Sequence, residues 1–181
     1  MQTNTICFIN QKGGCGKSSS CFHLAGYFAD LGMRVLVIDA HPQGSLSQGF
    51  FGSATIENLP ACETMAGIFA DDEVMSFDSL ATQTRFDRLS VVRANSHLAR
   101  HNVPEPENAG MRQFALPSFL EGASEFDLIR IDCPPNLYLC SWNGWWGRIS
   151  SSFRFRPKTS LRRDCESCIK PSSKPSFFIP P

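Results

Sequence analysis

The chain has 181 residues, a length that suits one ordinary domain and is too short for two large ones. Hydrophobic residues make up 42% and charged residues 19%, a composition that can bury a core and excludes wholesale disorder. The net charge is zero, but the charges are unevenly distributed along the chain. Residues 1–140 contain 9 Lys and Arg and 15 Asp and Glu, whereas residues 141–181 contain 8 Lys and Arg and 2 Asp and Glu. Without an apolar run near ~18 residues or a secretory leader, we expect a cytoplasmic protein with no membrane partner.

The first elements predict a strand, a helix and a second strand. Residues 5–9 form a short apolar run typical of a buried strand, and residues 18–31 repeat apolar side chains at helical spacing. Gly32 fits the position just after a helix. Residues 34–39 contain the continuous apolar run of a parallel strand. Together these segments predict a βαβ unit.

Beyond this unit the predicted elements are shorter and alternate in type. They are a helix at 63–70, a strand at 89–92, a loop at 99–107, a helix at 111–121 interrupted by Pro117, and a buried strand at 126–132. The alternation predicts an α/β fold with a mostly parallel sheet flanked by helices.

A glycine-rich segment, Gln-Lys-Gly-Gly-Cys-Gly-Lys-Ser-Ser at residues 11–19, separates the first strand from the first helix. This context is typical of a phosphate-binding loop, whose backbone N–H groups cradle an anion at a helix N-terminus. Lys17 can reach the β- and γ-phosphates, and Ser18 can ligate Mg²⁺. The alternative is a glycine-rich turn that binds nothing. The residues predicted to bind a nucleotide are Gly13, Gly14, Cys15, Gly16, Lys17, Ser18 and Ser19.

Two further candidate residues follow the second strand. Asp39 ends that strand, at the sheet edge where ligands of open α/β folds bind, and is expected near the Mg²⁺ and its waters. The alternative is a carboxylate that caps a turn. The second candidate, His41, can hydrogen-bond a water but supplies no negative charge. The alternative is that His41 is a surface residue without a role in the site.

The last predicted strand, residues 126–132, contains a charge and ends in an acid. Arg130 lies within an apolar run, where a buried charge is costly, so we expect it to reach a sheet edge or to pair with a carboxylate. Asp132 closes the strand and is followed by the stiff turn Cys-Pro-Pro.

These motifs resemble, in order, those of the ParA/MinD group of deviant Walker A P-loop ATPases, which act in chromosome and plasmid partition. The resemblance covers residues 5–51 and 126–137. Lys12 matches the extra lysine of the deviant loop, which in that family reaches the nucleotide of a partner subunit. The resemblance therefore implies a P-loop NTPase-type sheet and a homodimer that sandwiches ATP, with Lys12 acting in trans.

The same resemblance implies roles for the acids. Asp132 matches the Walker B aspartate, and Ser18, Asp39 and Asp132 would hold Mg²⁺, the aspartates directly or through water. Lys12, Asp39 and position 41 would be catalytic. His41 replaces the second aspartate of the family, which orients the attacking water, so we expect ATP binding with weak or absent hydrolysis.

The implied function is an ATP-dependent dimeric switch in chromosome or plasmid segregation, with a partition protein and non-specific DNA as partners of the ATP state. A non-hydrolysing nucleotide-binding module that sequesters partners is one alternative. A truncated remnant without function is the other.

The resemblance ends near Trp142, where the sequence becomes rich in Ser, Pro and Arg. We expect an ATPase-type domain at residues 1–140, incomplete at its C-terminus, and an irregular, disordered tail at residues 141–181. A change of reading frame near codons 141–143 is a hypothesis that the other two frames of the source DNA can test. Cys165 and Cys168 have metal-ligand spacing that we attribute to chance, because zinc needs four ligands.

Overall fold

The computed structural model describes residues 3–70 and 77–152. Within them, five strands form one sheet in the order β1-β5-β2-β4-β3. The strands are β1 (Asn4–Phe8), β2 (Val35–Asp39), β3 (Ala81–Gln83), β4 (Leu89–Val92) and β5 (Leu128–Asp132). The neighbouring pairs are parallel, except that β3 runs antiparallel to β4. This sheet confirms the predicted α/β class.

Helices flank the sheet and vary in length. They are α1 (Lys17–Asp30), α2 (Ser45–Phe51), α3 (Ser53–Glu57), α4 (Phe77–Leu80), α5 (Ala115–Phe119) and α6 (Leu139–Ser152). The helix expected at 63–70 is instead a pair of short 3₁₀ segments, Ala61–Glu63 and Met65–Phe69. Pro117 lies in the first turn of α5, where its missing N–H costs little, so the helix expected at 111–121 is a short helix between two 3₁₀ segments.

The core has two halves because side chains alternate along each strand. On one face, Val35 and Val37 of β2 pack with Cys21 and Ala25 of α1. On the other face, Leu36, Ile38, Ile129 and Ile131 join a cluster that includes residues of α5 and α6. All five residues of β2 are buried, since this strand lies between β5 and β4. The sheet is therefore covered on both faces.

The register of the parallel strands brings three strand ends together. Asp132 lies opposite Phe8 of β1 and opposite Asp39 of β2. At the other end of the sheet, the Arg34 guanidinium pairs with Asp127 at 3.0 Å, and the Arg34 N–H donates to the same carboxylate at 2.8 Å. The two acids predicted to face the metal therefore end neighbouring strands at one edge.

Helix α6 crosses the boundary expected at residue 140 and corrects the expectation that residues 141–152 are irregular. Asn143 donates to the carbonyl groups of Arg112 and Leu139 and accepts the N–H of Leu116. Gly144 packs so closely that a Cβ there would lie 2.6 Å from the Cys133 sulfur. Asn143 and Gly144 therefore dock this helix together with the buried Leu139 and Cys140, and they interrupt the apolar spacing that would have predicted it. Residues 153–181 lie outside the described part of the chain.

Arg130 contradicts the expectation of an edge position or a carboxylate partner. It lies in β5, an inner strand, and is 1% exposed. Its guanidinium carbon lies 4.6 Å from the ring centre of Phe8 and 5.6 Å from that of Phe28. Burial lowers the pKa of Arg130, and the neighbouring Cys21 side chain opposes that shift. Aromatic faces thus take the place of the expected counter-ion.

Candidate functional site

The segment between β1 and α1, here called the phosphate loop (residues 10–17), carries the predicted anion-binding residues. Gly14 and Gly16 have φ values of 69° and 85°, a left-handed conformation that glycine adopts without a side-chain penalty. A Cβ at Gly14 would meet no atom within 4 Å, so backbone conformation rather than crowding favours glycine there. Because α1 begins at Lys17, the unpaired N–H groups of its first turn point toward the loop.

Lys17 folds back over the phosphate loop. Its Nζ atom donates to the carbonyl oxygens of Asn10 at 3.0 Å and Lys12 at 3.2 Å, and it lies 3.9 Å from the Cys15 sulfur. These acceptors are neutral, so an anionic ligand could replace them with stronger, charge-assisted bonds.

Asn10 is a loop residue that sequence reasoning missed. Its Oδ1 atom accepts the N–H of Lys12 at 2.9 Å, and its carbonyl holds Lys17. Asparagine readily bonds to the backbone two residues on, so the Asx-turn pattern was the signal that could have identified it. Asn10 therefore helps to shape the loop and to position the lysine.

A cavity of about 300 Å³ opens beside the phosphate loop. Residues 7–10 of the first strand and loop line it, together with residues 15–17 and Ser20. Its volume is at the lower end of the range for small-molecule sites. The predicted residues Cys15, Gly16 and Lys17 are thus brought to one open cavity.

Asp132 and Ser18 meet beside this cavity. The Ser18 hydroxyl is close enough to Asp132 to act on the pKa of that carboxyl. Among the described residues, the Oδ1 atom of Asp132 is buried and has no hydrogen-bond partner. Burial raises the pKa of Asp132, whereas the Ser18 hydroxyl and the Lys17 charge oppose the shift. An unpaired buried oxygen next to a hydroxyl is a donor set that suits a hard cation such as Mg²⁺.

Asp39 is fully buried, and hydrogen bonds from the chain occupy both of its oxygens. Oδ2 accepts the hydroxyl of Ser47 at 2.7 Å and its N–H at 2.9 Å, and Oδ1 accepts the N–H of His41 at 3.1 Å. Burial raises the pKa of Asp39 to about 7, against the hydrogen bonds from Ser47. The carboxylate therefore organises the segment after β2, here called the β2 turn (residues 39–47).

Ser47 extends this network across the sheet. Its hydroxyl accepts the N–H of Ala94 at 2.9 Å, just beyond the end of β4. Gly44, with φ of 62°, lies so close to Ala94 that a Cβ would overlap its carbonyl oxygen. The sequence analysis did not identify Ser47, because local residue spacing does not predict a hydrogen bond to a residue as distant in sequence as Ala94.

His41 lies half-buried in the β2 turn. Its Nδ1 atom accepts the N–H of Gln43 at 3.1 Å, and its carbonyl accepts the N–H of Gly44 at 2.9 Å. Burial lowers the pKa of His41, and the charge of Lys17 adds to this shift. Both effects favour the neutral imidazole, and the second shows that the ring lies within electrostatic reach of the phosphate loop.

Comparisons with known proteins identify the family of this chain. Residues 3–146 match the family described as "AAA domain". The chromosome partitioning protein ParA of Myxococcus xanthus is 34% identical over 139 residues, which cover 76% of this chain and 47% of the relative. The chain belongs to the ParA-type family of P-loop ATPases.

Solved structures share the fold of this ParA-type chain. The cobyrinic acid a,c-diamide synthase of Mycobacterium smegmatis with bound ADP and magnesium has a TM-score of 0.65 and 26% identity, covering 80% of this chain and 56% of that one. A plasmid partition protein from Borrelia burgdorferi has a TM-score of 0.67, covers 81% of this chain and 62% of that one, and at 21% identity supports the fold alone. The ParA-type chain spans about half the length, or less, of the curated relatives it matches.

The residues of the ParA-type site fit a bound nucleotide and cation in part. Ser18 and Asp132 supply two adjacent oxygen donors, whereas Asp39 is engaged by the β2 turn. Within residues 3–70 and 77–152, no group of three His, Cys, Asp or Glu side chains could hold a metal ion. A cation at Ser18 and Asp132 would therefore take its remaining ligands from phosphates and water, as Mg²⁺ commonly does.

Two sequence-based expectations concern other parts of the ParA-type chain. Cys165 and Cys168 lie outside the described residues. In the described ranges, no helix is both long and apolar enough to cross a membrane.

Proposed function

We propose that this ParA-type chain binds ATP and Mg²⁺ and acts as an ATP-dependent dimeric switch in chromosome or plasmid partition. One observation carries the proposal: an open glycine loop, a lysine held by neutral acceptors and an unpaired carboxylate oxygen meet at one sheet edge. The ADP and magnesium of the Mycobacterium structure and the partition role named for the Myxococcus relative support it.

In this proposal the phosphate loop binds the nucleotide through its backbone N–H groups and through Lys17. The residues proposed to bind the nucleotide, in the loop and the first turn of α1, are Gly13, Gly14, Cys15, Gly16, Lys17, Ser18 and Ser19. Ser18 and Asp132 hold Mg²⁺, which when bound neutralises charge on the phosphates. Asp39 fixes the β2 turn and contacts the cation through water, since its own oxygens already accept bonds from the chain.

The dimer is the second part of the proposal. Lys12 is exposed, and its backbone N–H is bonded to the Asn10 side chain, which fixes the start of the loop. An exposed lysine at the mouth of the phosphate loop can reach an anion in a second subunit. We therefore assign Lys12 a role in trans, as in the deviant Walker A loop, with a partition protein and non-specific DNA as partners of the ATP-bound dimer.

Weak hydrolysis is the third part. The neutral imidazole of His41 supplies no carboxylate to orient an attacking water. This observation favours a second candidate function, a nucleotide-binding module that does not hydrolyse ATP and sequesters full-length partners. ATP turnover by the purified chain separates the two, because binding with measurable turnover supports the switch and binding without turnover supports the module.

Binding of a fluorescent ATP analogue with Mg²⁺ tests the shared claim. We expect saturable, Mg²⁺-dependent binding that Lys17→Ala weakens by about 100-fold or more, because charge-assisted bonds to the phosphates are lost. Lys12→Ala is the matched control: it removes the same charge from the same loop, and it should leave monomer binding nearly unchanged while reducing ATP-dependent dimerisation. No saturable binding by the wild type, or equal binding by Lys17→Ala, would contradict the proposal.

A further inference from the structure

The imidazole of His41 is held in one orientation by the β2 turn. The His41 N–H donates to Asp39 at 3.1 Å, its carbonyl accepts the N–H of Gly44 at 2.9 Å, and its Nδ1 atom accepts the N–H of Gln43 at 3.1 Å. Two of these bonds fix the backbone and the third fixes the ring. The side chain is therefore positioned before any ligand binds.

The bond to Gln43 also determines which ring nitrogen carries the proton. A backbone N–H can only donate, so the Nδ1 atom that accepts it has no proton. The proton of the neutral imidazole is then on Nε2. On the side away from Gln43, His41 therefore offers a hydrogen-bond donor, whereas a carboxylate at this position would offer acceptors alone.

His41 follows a strand end at the same sheet edge as the phosphate loop, because Asp132 lies opposite both Asp39 of β2 and Phe8 of β1. The β2 turn starts at the strand end opposite Asp132, and the Lys17 ammonium is close enough for its charge to act on the imidazole. The N-terminus of α1 faces the same edge of the sheet. A donor, a cation and a helix N-terminus together favour an anionic oxygen as the group that satisfies all three.

We propose that His41 is a binding residue for the terminal phosphate of a nucleoside triphosphate and donates its Nε2–H to one of the phosphate oxygens. The inference rests on the proposed function, because it requires a nucleotide in the phosphate loop. In this proposal, His41 is the residue that makes the site bind a nucleoside triphosphate more tightly than a diphosphate. It also gives weak hydrolysis a physical cause, since a group that donates to phosphate cannot accept a hydrogen bond from a water with the same nitrogen.

Two variants separate the two ring nitrogens. In His41→Asn the amide oxygen can replace Nδ1 and keep the bond from Gln43, but no donor remains at the distal position. In His41→Gln the amide reaches the distal position and can still donate. With Mg²⁺ present, we expect His41→Asn to weaken ATP binding by about tenfold and to leave ADP binding unchanged, and His41→Gln to restore most of the preference for ATP.

A ligand-free measurement tests the same assignment. The chain has four histidines, and comparison with His41→Asn identifies the His41 signals in ¹⁵N imidazole spectra. We expect the Nε2–H tautomer. The Nδ1–H tautomer would overturn the inference, as would an ATP-to-ADP affinity ratio that is the same in wild type and His41→Asn. A wild type that binds neither nucleotide would instead overturn the proposed function, and the inference with it.

Discussion

The phosphate loop and the β2 turn border the same site but are held in opposite ways. Residues 9–15, in and just before the phosphate loop, are exposed, and Lys17 bonds to near neighbours in the chain. In the β2 turn, Asp39, Gly44 and Ser47 are buried, and Ser47 bonds to Ala94 beyond another strand. The backbone N–H groups of the β2 turn at His41, Gly44 and Ser47 are bonded without a ligand, whereas the phosphate loop has backbone donors that a ligand can bind.

The difference follows from where each segment finds its hydrogen-bond partners. A glycine-rich loop with unpaired N–H groups gains its bonds when an anion arrives. The buried carboxylate of Asp39 accepts hydrogen bonds from Ser47 and His41, which offset the cost of burying it. Among the described residues, the buried Oδ1 atom of Asp132 has no such partner. The site is therefore bordered by the β2 turn, whose backbone is bonded without a ligand, and by the phosphate loop, whose N–H groups gain partners when an anion binds.

Among the stability variants, we expect the largest effect from Gly44→Ala in the β2 turn. The new Cβ would overlap the Ala94 carbonyl oxygen and require a left-handed backbone, so we expect a loss of about 3 kcal/mol in the free energy of unfolding. Gly32→Ala is the control, because Gly32 has φ of 88° but a Cβ there would meet no atom within 4 Å, so it should cost only about 1 kcal/mol. Urea denaturation measures both, and equal losses would contradict the close approach.

Ser47→Ala should have the next largest effect. It removes a bond to Asp39 and leaves the buried N–H of Ala94 without its acceptor, so we expect a loss of about 2 kcal/mol. Ser45 begins the same helix but is exposed, and Ser45→Ala should change stability by less than about 0.5 kcal/mol. If the two variants denature at the same urea concentration, the Ser47 network does not stabilise the turn.

The smallest effect concerns the ion pair at the opposite end of the sheet. Arg34 lowers the pKa of Asp127 below its ordinary value, so the pair stabilises the fold above the unfolded pKa and loses this contribution as the pH falls through the lower, folded pKa. Arg34→Ala should therefore destabilise the protein more at pH 7 than at about pH 2. Because the backbone bonds of Asp127 and Leu128 to the Arg34 carbonyl remain, the β2–β5 register should persist.

Arg88→Ala serves as the control for that pH dependence. Arg88 donates to the Gly32 carbonyl, an acceptor that does not titrate. Its removal should have the same effect at both pH values in urea denaturation. A pH-independent effect of Arg34→Ala would show that Asp127 gains nothing from the ion pair.

Local sequence signals predicted the elements whose burial is nearly uniform. The strand expected at 89–92 coincides with β4, and β2 and β5 lie within the expected segments, because inner strands of a parallel sheet are mostly apolar. β3 was missed, since three residues on an antiparallel edge are too short for a pattern. α6 was missed because Asn143 and Gly144, which contact α5 and Cys133, interrupt the apolar spacing begun by Leu139 and Cys140.

The site residues also differ in whether local sequence signals could predict them. The phosphate loop, Ser18 and Asp132 lie within recognisable motifs. Their positions at one edge of the sheet could therefore be predicted. Asn10 and Ser47 could not be ranked as site residues, because they act through backbone bonds that only the folded chain displays. The roles of Asp39 and His41 in the turn likewise depend on partners that sequence spacing does not identify.

Hydrogen exchange measured by mass spectrometry, with and without Mg²⁺ and ATP, tests the central claim most directly. We predict that the β2 turn is protected in both states, because its N–H groups at His41, Gly44 and Ser47 are already bonded. The phosphate loop should exchange rapidly without ligand and become protected when Mg²⁺ and ATP are added. Rapid exchange in the turn without ligand, or a loop unaffected by saturating ATP, would contradict the account.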